Sequence, residues 1–215
     1  MSTFEGINSV ELQGELAWPE MKYTGSGKAL LRAKIKIPTT DQRTGDDRES
    51  YIRVVAWEEI AEYINSLDAR AKLRVTGRIQ ERSFTNREGQ KQNITEIVLD
   101  GVETTESEEG INRFFLRGST KWPELKEVGE ANSSLFHAKV VIPFERDGQQ
   151  KNSYVRITAW NDLAEGLGAS PEGTVVDVTG HIQERTWTNP QGQKRIFTDA
   201  VVTNFVVNEG VVASV

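Results

Sequence analysis

Two short stretches of this chain put flat aromatic rings and a cation on one side of a strand. They are Tyr51-Ile-Arg-Val-Val-Ala-Trp57 and Tyr154-Val-Arg-Ile-Thr-Ala-Trp160. Side chains alternate across a strand. Ile52, Val54 and Ala56 therefore face a core, and Tyr51, Arg53, Val55 and Trp57 face the other way. The later stretch repeats this, with Val155, Ile157 and Ala159 inward and Tyr154, Arg156, Thr158 and Trp160 outward. A further strand sets Leu73, Val75 and Ile79 against Arg74, Thr76, Arg78, Gln80, Arg82 and Phe84. Its counterpart outer row is Asp177, Thr179, His181, Gln183, Arg185 and Trp187. Arg32, Lys34 and Lys36 line one face opposite Ala33, Ile35 and Ile37. Lys91, Lys139 and Lys194 complete the candidate cations. Cations neutralise phosphates and release counterions. Rings accept unpaired bases by stacking, at roughly 1–3 kcal/mol each. Every base has a π-face, so such a surface tolerates any sequence, whereas a duplex hides those faces. An exposed ring can instead pair across strands or enter an oligomer interface. Its recurrence with arginine between favours single-stranded nucleic acid. Trp18 and Trp122 each precede proline at the end of the first strand and read as packing or loop anchors.

The elements that must position these rows are written twice. Thr-Gly-Arg-Ile-Gln-Glu-Arg-Ser-Phe-Thr-Asn-Arg-Glu-Gly-Gln at 76–90 returns as Thr-Gly-His-Ile-Gln-Glu-Arg-Thr-Trp-Thr-Asn-Pro-Gln-Gly-Gln at 179–193. The correspondence extends from end to end: Ile7–Gly14 with Ile111–Gly118, Trp18-Pro19 with Trp122-Pro123, Ala33–Pro38 with Ala138–Pro143. Such a repeat sets the architecture. It predicts two domains, 1–103 and 111–208, joined by an acidic linker at 104–110, with a short tail at 209–215. The register between copies slips after Trp18-Pro19 and after Pro38, which marks loops there. Period-two alternation predicts strands near 7–17, 29–38, 50–57, 71–84 and 91–102 in the first copy. Asn86–Gly89 and Asn189–Gly192 are turn signals closing a final hairpin. Only 58–64 and 161–167 look helical, with Asn161 placed as an N-cap. Gly77 marks a bend. Five strands with a short helix between the third and fourth predict an all-β chain of two tandem OB folds, five-stranded Greek-key barrels. A tandem β-sandwich would want about seven strands per unit and no helix there.

Composition narrows the chemistry. The chain has 215 residues, 37% hydrophobic and 27% charged, and no cysteine, so disulfides and thiolate metal sites are excluded. The opening Met-Ser-Thr-Phe-Glu-Gly lacks a signal-peptide pattern. The net charge is −6. Phosphate binders tend to be basic, but the face that carries the cations matters more than their total. His137 and His181 are the only histidines, and no zinc cluster, phosphate loop or Gly-x-Ser-x-Gly motif is present. Asp46-Asp47 sit in a polar loop, and Thr24-Gly-Ser-Gly-Lys28 reads as a hairpin loop. No cofactor and no enzymatic activity are expected.

The motifs together resemble the bacterial single-stranded DNA-binding protein family, once per repeat. They are Ile-Asn-x-Val-x-Leu-x-Gly, Tyr-x-Arg-Val-x-Ala-Trp, Ile-Ala-Glu or Leu-Ala-Glu, and Thr-Gly-x-Ile-x-x-Arg-x-[aromatic]-Thr-Asn-x-x-Gly-Gln. The resemblance implies an OB fold whose base-stacking rings are Tyr51, Trp57 and Phe84, then Tyr154, Trp160 and Trp187. Arg32, Lys34, Lys36, Arg53, Arg74, Arg78, Arg82, Lys91, Lys139, Arg156, His181, Arg185 and Lys194 are the candidate phosphate and base contacts. It further implies single-stranded DNA as partner, a homodimer carrying four OB domains, and a bacterial cytoplasmic setting, chromosomal, phage or plasmid. The family's Gly/Pro-rich tail with its acidic recruiting tip has no counterpart in Gly210-Val-Val-Ala-Ser-Val215. Other readings are an OB protein–protein adaptor of the primosome type and, third, an OB-based nuclease, for which the strands supply no carboxylate cluster. Arg74, Arg78 and Phe84 become Asp177, His181 and Trp187 in the second copy. That predicts a first surface richer in cations and a second richer in large rings.

Overall fold

The computed structural model describes residues 4–40, 45–85, 89, 91–129, 132–188 and 194–212. They form two compact units. One comprises Val10–Arg113 with Gln183–Thr198, the other Met1–Ser9, Phe114–Ile182 and Asp199–Val215. The elements run β1 (Ile7–Tyr23), β2 (Ala29–Thr40), β3 (Asp47–Trp57), α1 (Glu58–Ser66), β4 (Lys72–Thr85) and β5 (Lys91–Thr104). They repeat as β6 (Ile111–Val128), β7 (Ser133–Arg146), β8 (Gln149–Trp160), α2 (Asp162–Gly168), β9 (Thr174–Thr188) and β10 (Lys194–Val212).

In the Val10–Arg113 unit the strand order is β2-β3-β5-β4-β1, and β1 pairs again with β2, so the sheet closes. Closure comes from one strand serving two neighbours. Val10–Glu15 pair with β4, and Glu15–Tyr23 pair with β2. A strand can cross that corner only where backbones approach closely. Gly14 sits there, and a Cβ on it would collide with the Lys36 carbonyl. Gly77 plays the same part on β4, against the Val98 carbonyl. A short parallel pairing of Val54-Val55 with Ile97-Val98 joins β3 to β5. Leu12, Leu31, Ile35, Ile52, Leu73 and Ile97 fill the interior, none more than 1% exposed. Helix α1 covers one end with Ala61 and Ile64. This is the OB barrel. Residues 105–110 lie on it: the buried Gln13 amide donates to the Glu109 carbonyl (2.7 Å) and the Ser107 hydroxyl (3.2 Å).

The other unit closes in the order β6-β7-β8-β10-β9 with β6 pairing back to β9. Here Phe114–Ser119 pair with β9 and Ser119–Val128 with β7, and Gly118 stands at the corner. Leu116, Phe136, Val140, Val155, Ile157 and Val178 are fully buried.

Three expectations change. The first strand does not end at Trp18-Pro19. A bulge takes in the extra residue, because β1 advances three positions from Ala17 to Glu20 while β2 advances two, and the strand runs on to Tyr23. Proline lacks the ladder donor and is tolerated at a bulge. Asn161 occupies the N-cap of α2 but with φ 51° and no side-chain cap. The neighbouring Glu165 instead accepts from the Ser134 hydroxyl, 2.8 Å away. Val55 and Thr158 hold matching places on the outward rows yet are only 5% and 4% exposed, each facing a side chain of the neighbouring strand, Arg32 and His137 respectively. The turn signals 86–88 and 189–192 lie outside the described residues.

In the second unit Arg117 on β6 holds Asp177 on β9 with two hydrogen bonds, 2.7 and 2.6 Å, and Asn208 adds one at 3.0 Å. The Arg117 bond holds the Asp177 carboxyl below its ordinary range, against the opposing effect of burial. A carboxyl lowered on folding stabilises fully above its unfolded value, about 3.9, and loses that contribution as the pH falls through the folded value. Asp177→Asn should therefore melt a few degrees below the parent near neutral pH. The gap should close as the pH is taken well under the unfolded value. Thermal melts across that range read it directly, and a gap independent of pH would mean that the ion pair is not its source.

Candidate nucleic-acid interface

In the first unit the β2–β3 ladder brings the predicted rows side by side. Lys36 pairs with Tyr51 and Lys34 with Arg53. Trp18 rises from the β1 bulge and stacks on Tyr51, with ring centroids 5.1 Å apart and planes 22° from parallel. A cavity of about 420 Å³ opens beside it, walled by Trp18, Arg32, Lys34, Arg53 and Arg82 among others. Trp57 ends β3 with 40% of its surface exposed. The Tyr51 hydroxyl donates to Glu49 (2.9 Å), a bond that with burial pushes its pKa above the ordinary phenol value. The ring stays neutral, as stacking on bases requires.

Four cations of this face, Lys34, Lys36, Arg53 and Arg82, are held by carboxylates. Lys36 meets Glu49 at 2.6 Å. Arg82 makes a two-pronged pair with Glu96 at 3.1 and 3.0 Å. Its guanidinium pKa is pushed up by that bond. Glu184, in the segment Gln183–Thr198, accepts from Lys34 Nζ (2.9 Å), Arg53 Nε (3.1 Å) and the Arg53 backbone N–H (2.9 Å). The Glu184 side chain is only 9% exposed. Further along β4, Arg74 pairs with Glu11, and Arg78 with Asp100. Neither lines the cavity. Glu11 also takes Arg113. Burial would raise the Glu11 carboxyl, but the hydrogen bonds from Arg113 and Arg74 outweigh it and hold the pKa below the ordinary range.

The second unit has the same plan. Val141 pairs with Tyr154 and Lys139 with Arg156. Trp122 stacks on Tyr154, with centroids 6.3 Å apart and planes 18° from parallel. Trp160 ends β8 with 41% of its surface exposed. His181 is half-buried on β9, and burial lowers its pKa. It is therefore neutral near pH 7 and offers a hydrogen bond rather than a charge. Arg185, on β9 in the segment grouped with the first unit, is exposed. The side chains of Phe84, Trp187, Lys91 and Lys194 lie outside the described residues.

The structure thus gathers Arg32, Lys34, Arg53 and Arg82 about one cavity, with Tyr51 stacked on its wall residue Trp18, and leaves Arg74 and Arg78 outside it. It also alters one reading of the repeat. Arg74 faces Gln13 across the β1–β4 ladder, whereas Asp177 faces Arg117 across β6–β9. The cation has moved to the facing strand and is not lost. Sequence reasoning missed Trp18 and Trp122 as surface rings: they are 67% and 58% exposed, neither core nor anchor. It also missed Glu184. The signal available was the retention of Trp-Pro and of Gln-Glu-Arg in both copies. Among the described residues no cluster of three or more His, Asp and Glu side chains could hold a metal.

The sequence profile of the single-strand binding protein family matches residues 7–105 and again 111–207. The chain belongs to this family. A single-stranded DNA-binding protein of Thermus thermophilus is 29% identical over 216 residues, covering 90% of this chain and 81% of that protein. One from Deinococcus radiodurans is 29% identical over 225 residues, covering 92% and 74%. The crystal structure of the wild-type Thermus aquaticus single-stranded DNA binding protein superposes with a TM-score of 0.77. It covers 99% of this chain and 98% of its own at 21% identity, a likeness of fold. Tandem OB barrels are therefore the architecture that this family member shares with that structure.

Glu184 ties the segment 183–198 to the β2–β3 ladder of its unit with three hydrogen bonds. Removing a largely buried carboxylate strands two cations and a backbone donor. Glu184→Ala should speed amide hydrogen exchange across the flanking residues 183–188 and 194–198, with the exchange of buried β4 amides such as Val75 unchanged. Unaltered exchange in that segment would show that Glu184 does not seat it.

Proposed function

We propose that this chain binds single-stranded DNA without sequence preference and without catalysis, coating and protecting exposed strands during replication, recombination and repair. The observation that carries this is the row of Tyr, Arg and Trp at 51, 53 and 57, and again at 154, 156 and 160. It is repeated at the same strand positions in both units beside paired Lys34–Arg53 and Lys139–Arg156. Rings supply stacking at roughly 1–3 kcal/mol per base, and the cations supply phosphate neutralisation. The relatives named as single-stranded DNA-binding proteins support the same partner. Those relatives are bacterial, which favours a bacterial cytoplasmic setting, chromosomal or carried by a phage or plasmid. A homodimer would assemble four barrels on one strand, and sedimentation at twice the 24.1 kDa chain mass would support it.

Titration of intrinsic tryptophan fluorescence with oligo-dT tests the reading. Strong quenching that weakens as salt rises is expected, and no quenching at low salt would sink it in favour of a protein-binding adaptor. Trp160→Ala should weaken binding about 5- to 150-fold at every salt concentration, as loss of one stacked base implies. Arg32→Ala should instead flatten the slope of log affinity against log salt by about 0.7. Equal slopes for variant and parent would place Arg32 away from the phosphates.

A further inference from the structure

Trp18 and Trp122 occupy a position where an indole needs a reason. Each has positive φ, 47° and 52°, a conformation that glycine adopts freely and a bulky side chain does not. Each sits within a bulge of the first strand of its unit, between Ala17 and Glu20 and between Lys121 and Glu124. Bulges re-aim side chains, and both rings are turned outward, 67% and 58% exposed. A packing role does not suit side chains so little covered. Strain of this kind persists where the surroundings impose it and clusters at functional sites.

The rings land in the same place in both units. Trp18 stacks on Tyr51 and Trp122 on Tyr154. A lysine ammonium stands by each, Lys34 at 6.0 Å from the Trp18 centroid and Lys121 at 4.9 Å from that of Trp122. At a centroid spacing of 5.1 Å Tyr51 already covers one face of Trp18, and the residue is still 67% exposed. In the first unit that ring is part of a cavity wall with Arg32, Lys34, Arg53 and Arg82, cations suited to a phosphate.

We propose that Trp18 and Trp122 are additional base-stacking platforms. Each takes one nucleobase of single-stranded DNA on its outer face, with Tyr51 or Tyr154 behind it as a second ring of the same stack. The platforms add to the rings at 51, 57, 154 and 160. The occupant is a single-stranded nucleic acid and not an apolar peptide, because the cavity wall beside Trp18 carries four cations, Arg32, Lys34, Arg53 and Arg82, against the two carboxylates Glu20 and Glu96. This inference rests on the single-stranded DNA reading above.

Photocrosslinking with oligo-dT carrying 5-bromodeoxyuridine, followed by mass spectrometry of the full-length protein, should place a base on the peptides containing Trp18 and Trp122. Trp18→Gly and Trp122→Gly should each bind oligo-dT about 5- to 150-fold more weakly. Their salt slope should be unchanged, because no phosphate contact is lost. These variants remove the strained φ together with the ring, so thermal melts should show a folded protein. Trp18→Phe keeps a ring and should recover most of the affinity. If the parent protein fails to bind oligo-dT, the functional reading itself falls. If the parent binds and the glycine variants bind within twofold of it, the platforms are refuted and the functional reading survives. Crosslinks confined to other peptides, or glycine variants that change only the sedimentation mass, would likewise overturn the proposal, the latter by making the indoles a protein interface.

Discussion

Each barrel depends on its first strand serving two partners. β1 leaves β4 and joins β2 at Glu15, and β6 leaves β9 and joins β7 at Ser119. A closed sheet has no free edge, which removes the usual route to unwanted strand pairing. The cost is a corner where two backbones come closer than a Cβ permits, and Gly14 and Gly118 stand there. Beyond the corner the strand must still twist to follow β2 or β7, and the bulge at Trp-Pro increases that twist. The same device that lets the barrel close also points an indole at the tyrosine of the third strand. Fold and surface are therefore set by one stretch of about six residues in each repeat.

The electrostatics follow a different logic from that of a basic DNA binder. The chain carries a net charge of −6, and Lys34, Lys36, Arg53 and Arg82 of the first unit's ring-bearing face lie against Glu49, Glu96 and Glu184. A phosphate arriving at Lys34 or Arg53 exchanges with a fixed carboxylate rather than with a mobile counterion. Counterion release is then smaller than the number of cations suggests. More of the affinity falls to stacking, which salt does not screen. The acidity of the chain and its ring-rich face are thus parts of one arrangement.

Much of the fold was legible in the sequence, because both determinants are local. Period-two alternation gave the strands, and the repeat gave the number of barrels. Parity alone put the rings at 51, 57, 154 and 160 on one side of their strands. The rest was hidden for identifiable reasons. Parity fails across a bulge, so a reading that stops β1 at Trp18-Pro19 cannot see that the indole turns outward. Ion pairs between residues as far apart as Glu184 and Arg53 leave no mark in local spacing. Burial of Val55 and Thr158 depends on what the neighbouring strand sets against them, which strand parity does not show. Arg74 and Asp177 looked like a gain and loss of charge because their cross-strand partners, Gln13 and Arg117, lie about sixty residues away.

The duplication separates what closure demands from what the surface can vary. Glycines at the corner, the Trp-Pro bulge and the tyrosine beneath it are the same in both units. Charge is not: Gln13 opposite Arg74 becomes Arg117 opposite Asp177. Steric requirements at a close crossing admit few residues, whereas an ion pair across a ladder works from either strand. Divergence between the copies has therefore moved charges between facing strands and left the rings in place. A ring stacked on a base needs a fixed position and orientation, while a cation on a flexible stem reaches a phosphate from several. On that ground the equivalence of the two units resides in their Trp–Tyr stacks, and their difference in the carboxylates that hold the cations around them.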